Sequence, residues 1–495
     1  MNMFRLPPAL VVLSCVAFAS LGACASVKQT DPASQPQGTG GARGTGTPDA
    51  GDPFVPRGTA GSSGGGVYAG GCKNLQCQQT SCTQGSCLQH ACANGAKTTV
   101  SGKVYDPAGS VPLYNVIVYV PNAALAPISE GVSCDKCNGT ATGSPVASAL
   151  TDATGSFVLE NVPVGTDIPL VMQVGKWRRQ VKIPSVVACA DTPLVDKDLT
   201  RLPRNQAEGH LPQIALATGH SDALDCFLRK VGISDGEFTN DAGHGRVHMY
   251  VGGDSMSSKE GSAQLVSGEM FSDAYKVLFA NDAKMANYDV LMLQCEGSQL
   301  ESSKTPYVFN MKKYADNGGR IFAEHLHSVF FRKGPAPWPT TANWLGVAAD
   351  LASPVIAQID TSFPKGMALA DWLTAVGASP MQGQISLDMA QHSVDEPLHG
   401  AQRWIYTSAP TPSVQYLTFN TPVEAAPEDQ CGRAVFTDVH VGAGAGMSHP
   451  ENPFPTGCLP STVLSPQEKA LEFMLFDLSS CVQPDMVRPV PPPIE

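Results

Sequence analysis

The feature that most limits how this chain can fold is a change of apolar period near Leu202-Pro203. Before that point apolar residues alternate along the chain: Val100, Gly102 and Val104, then Val116, Val118 and Val120. A period of two puts one face of a strand in a core and the other in water. After it, short apolar runs alternate with helical spacing. Gln213–Thr218 reads as a strand, and Leu224, Phe227, Leu228 and Val231 then recur as on a helix. Arg246–Val251, Val290–Leu293 and Arg320–Ala323 read as further strands, with a helix over 306–316 stopped by Gly318-Gly319. Gln415–Phe419 and Ala434–Val439 are late strands. Ser465-Pro466-Gln467-Glu468 is a capping box that opens a last helix, whose apolar face is Ala470, Leu471, Met474, Leu475 and Leu478. The pattern predicts a multidomain chain: an all-β region over 97–203 and an α/β region over 204–483. Its parallel sheet should be covered on both faces, with the ligand crevice at the strand C-termini.

The N-terminus reads as an address. Arg5 precedes an apolar run over 9–22 that is too short to span a bilayer and suits a signal peptide. The run ends in Leu21-Gly22-Ala23-Cys24, which resembles the bacterial lipobox. That resemblance implies cleavage after residue 23, lipid on Cys24 and, because Ala25 follows, a place in the outer membrane, periplasmic or surface-exposed. The alternative is an ordinary cleaved signal with a chance cysteine. Residues 25–71 are rich in Gly, Ser and Pro and cannot bury a core, so they read as a tether. Residues 484–495 form a Pro-rich tail. The net charge of −12 and the low charged content of 15% exclude a nucleic-acid groove, which needs clustered Lys and Arg.

Fifteen cysteines in so charge-poor a chain point to an oxidising compartment. In a segment over 72–96, Cys72, Cys77, Cys82, Cys87 and Cys92 recur every five residues. Zinc-type CxxC spacing is absent there, so disulfides are the expected use over a metal cluster, and an odd count predicts one partner elsewhere or one free thiol. Cys134-Asp135-Lys136-Cys137 lies between strands, not at a helix start, and is expected to be structural, with Cys189 a candidate partner. Cys458 sits in a Pro-rich loop that a disulfide would pin to the final helix or strand. Lys176-Trp177-Arg178-Arg179 reads either as a stacking site for a glycan or acidic partner, or as a charged edge strand.

The run from Ser101 to Gly165 includes Thr151-Asp152-Ala153-Thr154-Gly155, Phe157, Leu159 and Val162-Pro163-Val164-Gly165. It resembles the carboxypeptidase regulatory-like family, which implies a transthyretin-like (prealbumin-like) β-sandwich that supports or binds and carries no chemistry. The second half has Tyr288-Asp289-Val290-Leu291-Met292-Leu293, then Tyr314 to His325 through Gly318-Gly319, then Gly432 to His440. It resembles the ThuA-like branch of the class I glutamine amidotransferase-like group, which implies a flavodoxin-like parallel sheet and a carbohydrate ligand. A long segment over 332–412 lies outside that resemblance.

The amidotransferase nucleophile is a Cys on a tight strand-to-helix turn. At that place this chain has Ala323-Glu324-His325, with Cys295 one strand earlier. Candidates for catalysis are therefore Cys295, Glu324, His325 and His440. A ligand pocket would draw on His220, Glu296, His325, His327, Asp438 and His440. His325 and His327 share a face if extended, and with His440 they are candidate metal ligands, joined by Glu296 or Asp438 in an open hydrolytic zinc site. No cofactor is specified. The leading expectation is an envelope-anchored lipoprotein that binds carbohydrate or another surface component, or serves as a scaffold. The alternative is a secreted hydrolase with its site at the strand C-termini. Convergence of the imidazoles would favour the hydrolase, and scattered, individually bonded imidazoles the scaffold.

Overall fold

The alternating residues before Leu202 build seven strands: β1 (Thr99–Lys103), β2 (Ile117–Pro121), β3 (Pro145–Leu150), β4 (Ser156–Glu160), β5 (Gly165–Val174), β6 (Trp177–Val186) and β7 (Asp191–Leu194). These are seen in a computed structural model that describes residues 89–137, 139–253, 260–409, 411–441, 451–459 and 463–494. Cys24, the signal-like and tether segments, and Cys72, Cys77, Cys82 and Cys87 lie outside the described residues. Strands β4-β1-β7 form one sheet and β3-β2-β5-β6 another. The period-two residues Val100, Val118, Val120, Phe157, Leu159, Leu170 and Met172 all enter the buried core. Short polar side chains close the turns. Asp106 Oδ1 accepts from the Ser110 and Val111 amides, and Asp152 Oδ1 from those of Thr154 and Ser156.

The α/β region follows in order: β8 (Ile214–Ala217), helix α1 (Leu224–Val231), β9 (Phe238–Thr239), β10 (Val247–Val251), β11 (Ser272–Asp273), β12 (Val290–Leu293), α2 (Val308–Asp316) and β13 (Arg320–Glu324). Then come β14 (Ala342–Asp350), β15 (Val355–Ile359), α3 (Pro364–Ala375), β16 (Gln384–Leu387), β17 (Gln391–Pro397), β18 (Ala401–Thr407), β19 (Ser413–Thr421), β20 (Gly432–Thr437) and α4 (Pro466–Ser479). The main sheet runs β11-β10-β8-β12-β13-β20-β19-β18-β15-β16, with β9 beside β10. Strands β10, β8, β12, β13 and β20 are parallel, and the pairings from β20 through β16 are antiparallel. The chain is thus sheet-rich, mostly β plus α/β. The 332–412 segment has a defined place: β15, β16 and β18 widen the sheet, and β14 with β17 forms a separate ribbon.

Helix α4 begins at the expected capping box, in which Ser465 Oγ accepts from the Glu468 amide and the Glu468 side chain accepts from the Ser465 amide. It buries far more than one apolar face. Leu471, Met474 and Leu475 are buried, and so are Phe473, Phe476, Glu472 and Asp477. The helix lies against the sheet on one side and meets the β region on the other. Phe473 stacks on Tyr114 at 5.6 Å, and Phe476 meets Trp177 edge-on at 5.6 Å. Gly175 allows this approach: it sits at φ +52°, and a Cβ there would overlap the Ser479 carbonyl. Lys176 donates to Asp289 Oδ1 at 2.6 Å, and Trp372 Nε1 to the Pro112 carbonyl at 2.6 Å. One apolar cluster therefore runs through both regions.

These contacts decide between the two readings of Lys176-Trp177-Arg178-Arg179. Trp177 is fully buried, so its ring is not open for glycan stacking. Strand β6 does lie at the edge of its sheet, as the charged-edge reading expected, with Arg178 and Arg179 donating to the carbonyls of Ala126 and Asp198 at 2.9 and 2.6 Å. The disulfides also differ from expectation. Cys189 bonds to Cys92, while Cys134 bonds to Cys431 and Cys137 to Cys481. Cys458 bonds to Cys226 on α1, not to the final helix. The reason is geometric: docking of the two regions brings the 134–137 loop beside the ends of β20 and α4. Among the described residues, Cys92 is a member of the period-five set that pairs outside it.

Candidate functional site

Four parallel strands deliver the site. The C-terminal ends of β8, β12, β13 and β20 lie side by side, as their pairing registers require. Just past them stand Asp222, Cys295, His325 and His440. Cys295, His325 and His440 are buried, and the Cys295 sulfur and one ring nitrogen of each histidine lie within 4.8 Å of one another. Cys295 Sγ is 3.6 Å from His325 Nδ1, and the His325 and His440 rings meet edge-on at 5.0 Å. His440 Nδ1 lies 2.6 Å from Asp222 Oδ2, and the Val441 amide donates to Asp222 Oδ1 at 2.9 Å.

Local structure aims each group. His325 has φ +36°, the left-handed region that a side-chain-bearing residue seldom adopts, between the end of β13 and a helical turn over His325–Ser328. A strained strand-to-helix turn is present at the end of β13, then, and it carries a histidine. Asp222 is held by its loop. The Ser221 amide donates to the Cys295 carbonyl at 3.0 Å, and Gln294 Nε2 donates to the Gly219 carbonyl at 2.8 Å. Gln294 Oε1 accepts from the Leu224 amide at 3.2 Å. A Cβ at residue 219 would strike the Cys295 carbonyl, so glycine lets this loop lie on the end of β12.

Burial sets the protonation states. It pushes the Cys295 thiol well above the usual range, and the nearby Asp222 and Glu324 carboxyls add to this. Burial and the His440 ring bring His325 down to about 3, so its imidazole is neutral at pH 7. Burial also pulls on His440, but Asp222 outweighs it and holds His440 above its ordinary value. Glu324 stands next to Asp222 and shares a hydrogen bond with it, while its Oε2 accepts from the Cys295 amide at 3.0 Å; burial, then the Asp222 charge, push Glu324 well above the carboxylate range. Asp222 is itself raised by burial, against the pull of His440 and the Val441 amide. Asp222 has the two donors, so the proton of this pair belongs on Glu324. The centre thus offers a neutral imidazole, a thiol, and an imidazole oriented by a carboxylate. Such a set can bind a metal ion, activate water or support a nucleophilic thiol.

The other candidates divide clearly. His327 is not in the cluster. Residues 325–328 form a helical turn, not an extended segment, so the two rings part, and His327 Nε2 lies 2.9 Å from the Gln294 carbonyl. Cys295 takes the third place instead. Glu296 is fully buried in a neighbouring polar knot: Lys304 Nζ lies 2.7 Å from its Oε2, while Tyr275 Oη and the Gly253 amide donate to its Oε1. Burial would raise Glu296, but Lys304 wins and holds it below its ordinary value. Asp438 faces the β17 ribbon and accepts from the Ser393 amide at 2.6 Å. Burial raises its carboxyl to about 6. His220 is half-buried in the loop after β8 and outside the cluster. Asp222 and Gln294 were not singled out from the sequence. The one available signal for Asp222 was a carboxylate just past a parallel strand; its partner His440 lies 218 residues away. Among the described residues, no helix is long and apolar enough to cross a membrane.

No family model matches the chain, and no curated protein matches it. Among solved structures it is similar to a C-terminal interface mutant of a type II cohesin–X-dockerin complex from Acetivibrio cellulolyticus, at 18% identity over 30% of this chain and 79% of that one, with TM-score 0.15. An N-terminal interface mutant of the same complex matches at 16% identity over 26% of this chain and 79% of that one, also with TM-score 0.15. A ThuA-like protein from Bacteroides uniformis matches at 8% identity over 46% of this chain and 80% of that one, with TM-score 0.24. At such scores the architecture rests on the strand order and registers given above.

Proposed function

We propose that this chain is an exported hydrolase whose reaction centre is formed by Cys295, His325 and His440, with Asp222 holding His440. The observation that carries this reading is the convergence of those groups at the ends of four parallel strands. Numbered by chain position, the strands run 2-1-3-4-5 across the sheet, the flavodoxin-like order, in which ligands sit at the strand C-termini. The same order supports a ThuA-like α/β domain. The seven strands in two sheets support a carboxypeptidase regulatory-like sandwich as its companion. Four disulfides among the described residues support an oxidising compartment, consistent with a lipid anchor on Cys24. The reaction class is hydrolysis of an ester or amide, with acylated sugars the first substrates to try. The test is turnover of a panel of acylated sugars, sugar amides and aryl esters by the purified chain. Hydrolysis should be present and should fall by about 10²–10⁴-fold in His440→Ala. No turnover across the panel, or turnover unchanged in that variant, overturns the proposal.

A second reading, binding or scaffolding at the envelope, is favoured by a separate observation. A cavity of about 470 Å³ lies on the β region, lined by Ile117, Lys136, Gln173, Arg178 and Val490 among others. It shares no lining residue with the Cys295 cluster. Retention on a glycan array that is lost in Ile117→Trp, with hydrolysis absent, would select this reading.

A further inference from the structure

We infer that Cys295, His325 and His440 are the three protein ligands of a zinc ion. This rests on the hydrolase reading for its purpose but not for its geometry. In a tetrahedral site with zinc–sulfur near 2.3 Å and zinc–nitrogen near 2.05 Å, adjacent sulfur and nitrogen ligands lie about 3.6 Å apart. Cys295 Sγ and His325 Nδ1 are 3.6 Å apart. All three donor groups come within 4.8 Å, so a modest contraction around an ion completes the set.

Two further observations point the same way. His440 Nδ1 is engaged by Asp222, which leaves Nε2 as the ring's free donor atom. A carboxylate behind a histidine in this manner fixes the tautomer and strengthens the metal bond. His325 turns Nδ1 to the Cys295 sulfur, and its buried Nε2 has no hydrogen-bond partner among the described residues, so it is the cluster side of this ring that carries its polar contact. A single thiolate with two imidazoles suits zinc, whereas oxygen-rich sets suit magnesium or calcium. Charge also balances, since the Cys295 thiolate and the Asp222 carboxylate match a divalent cation. Three protein ligands leave a fourth position for water, the arrangement of a catalytic and not a structural zinc. Cys295 is fully buried while His325 and His440 keep 8% and 6% exposure, so that fourth position opens past the two rings.

The test uses the full chain, dialysed against zinc and then against metal-free buffer, with metal content measured by mass spectrometry. One zinc per chain is expected. Cobalt exchanged into the site should give a thiolate-to-cobalt charge-transfer band that disappears in Cys295→Ser, while His440→Ala should lower zinc affinity by at least tenfold. His327→Ala, outside the ligand set, should keep full occupancy, and near-ultraviolet circular dichroism confirms that each variant is folded. Absence of zinc from the folded parent, or zinc retained undiminished in both Cys295→Ser and His440→Ala, overturns the inference. Zinc bound without turnover of any substrate would leave this site standing and remove the hydrolase. Turnover that requires Cys295 in protein free of metal would do the reverse, with the thiol as nucleophile.

Discussion

Asp222 decides what His440 can do. Its side chain is fully buried, accepts from the ring and from the Val441 amide, and reaches the site on a loop held by Gln294. Asp222→Asn keeps the size but presents an amide that can turn the His440 ring to the wrong tautomer. Zinc affinity or hydrolysis should fall by about 10–100-fold with the melting temperature nearly unchanged, as isothermal titration and a thermal scan would show. His325 makes a different prediction. Asn tolerates a left-handed backbone, and a β-branched residue does not. His325→Val should therefore be about 1–2 kcal/mol less stable than His325→Asn in urea unfolding; equal stability would mean that the turn is unstrained. At this scale the sequence was only partly legible. Cys295, His325 and His440 could be named because each follows an apolar run. That they meet, and that His327 does not join them, depends on strand order and on a helical turn that spacing alone cannot reveal.

Helix α4 shows what an element can and cannot announce. Its start was legible because a capping box is a local device in which four neighbouring residues satisfy one another. Its surroundings were not legible. Charged residues on its second face, Glu472 among them, would ordinarily mark the solvent side, yet the β region covers them. Burial, with Asp106 nearby, pushes Glu472 well above the carboxylate range. Burial likewise raises Asp106 from 3.8 to about 7, against the pull of backbone amides. Acids raised on folding favour the folded state while protonated. The contribution of Asp106 is complete below pH 3.8 and is lost as the pH rises to about 7, and that of Glu472 is likewise lost as the pH rises through its raised value. The melting temperature should therefore decline across that window through this pair. Glu472→Gln, which keeps the shape and cannot ionise, should flatten the decline and give the more stable protein at pH 8. A parallel decline in parent and variant would show that the pair does not titrate there.

At the scale of the whole molecule, the change of period at Leu202 marked the passage from one architecture to the next, because periodicity reports which faces are buried within each part. It said nothing of how the parts join. That is the work of side chains far apart in sequence: Trp177 with Phe476, Lys176 with Asp289, and two disulfides spanning 297 and 344 residues. Replacing Cys134 and Cys431 together by Ala should lower stability by about 2–5 kcal/mol, read by urea unfolding against the parent; a change below 0.5 kcal/mol, within the usual scatter of surface substitutions, would mean that the apolar interface alone holds the two parts.

Those two crosslinks also set a timetable for biogenesis. Cys134 and Cys137 lie three positions apart, while their proper mates, Cys431 and Cys481, leave the ribosome 297 and 344 residues after them. Before those mates arrive the nearest oxidation open to the pair is with each other, and undoing that bond takes a thiol-exchange catalyst or much patience. A nascent chain stalled before residue 431 should accumulate the 134–137 loop as a trappable non-native bond. Maturation of this protein would then be governed by an isomerase, not by an oxidase.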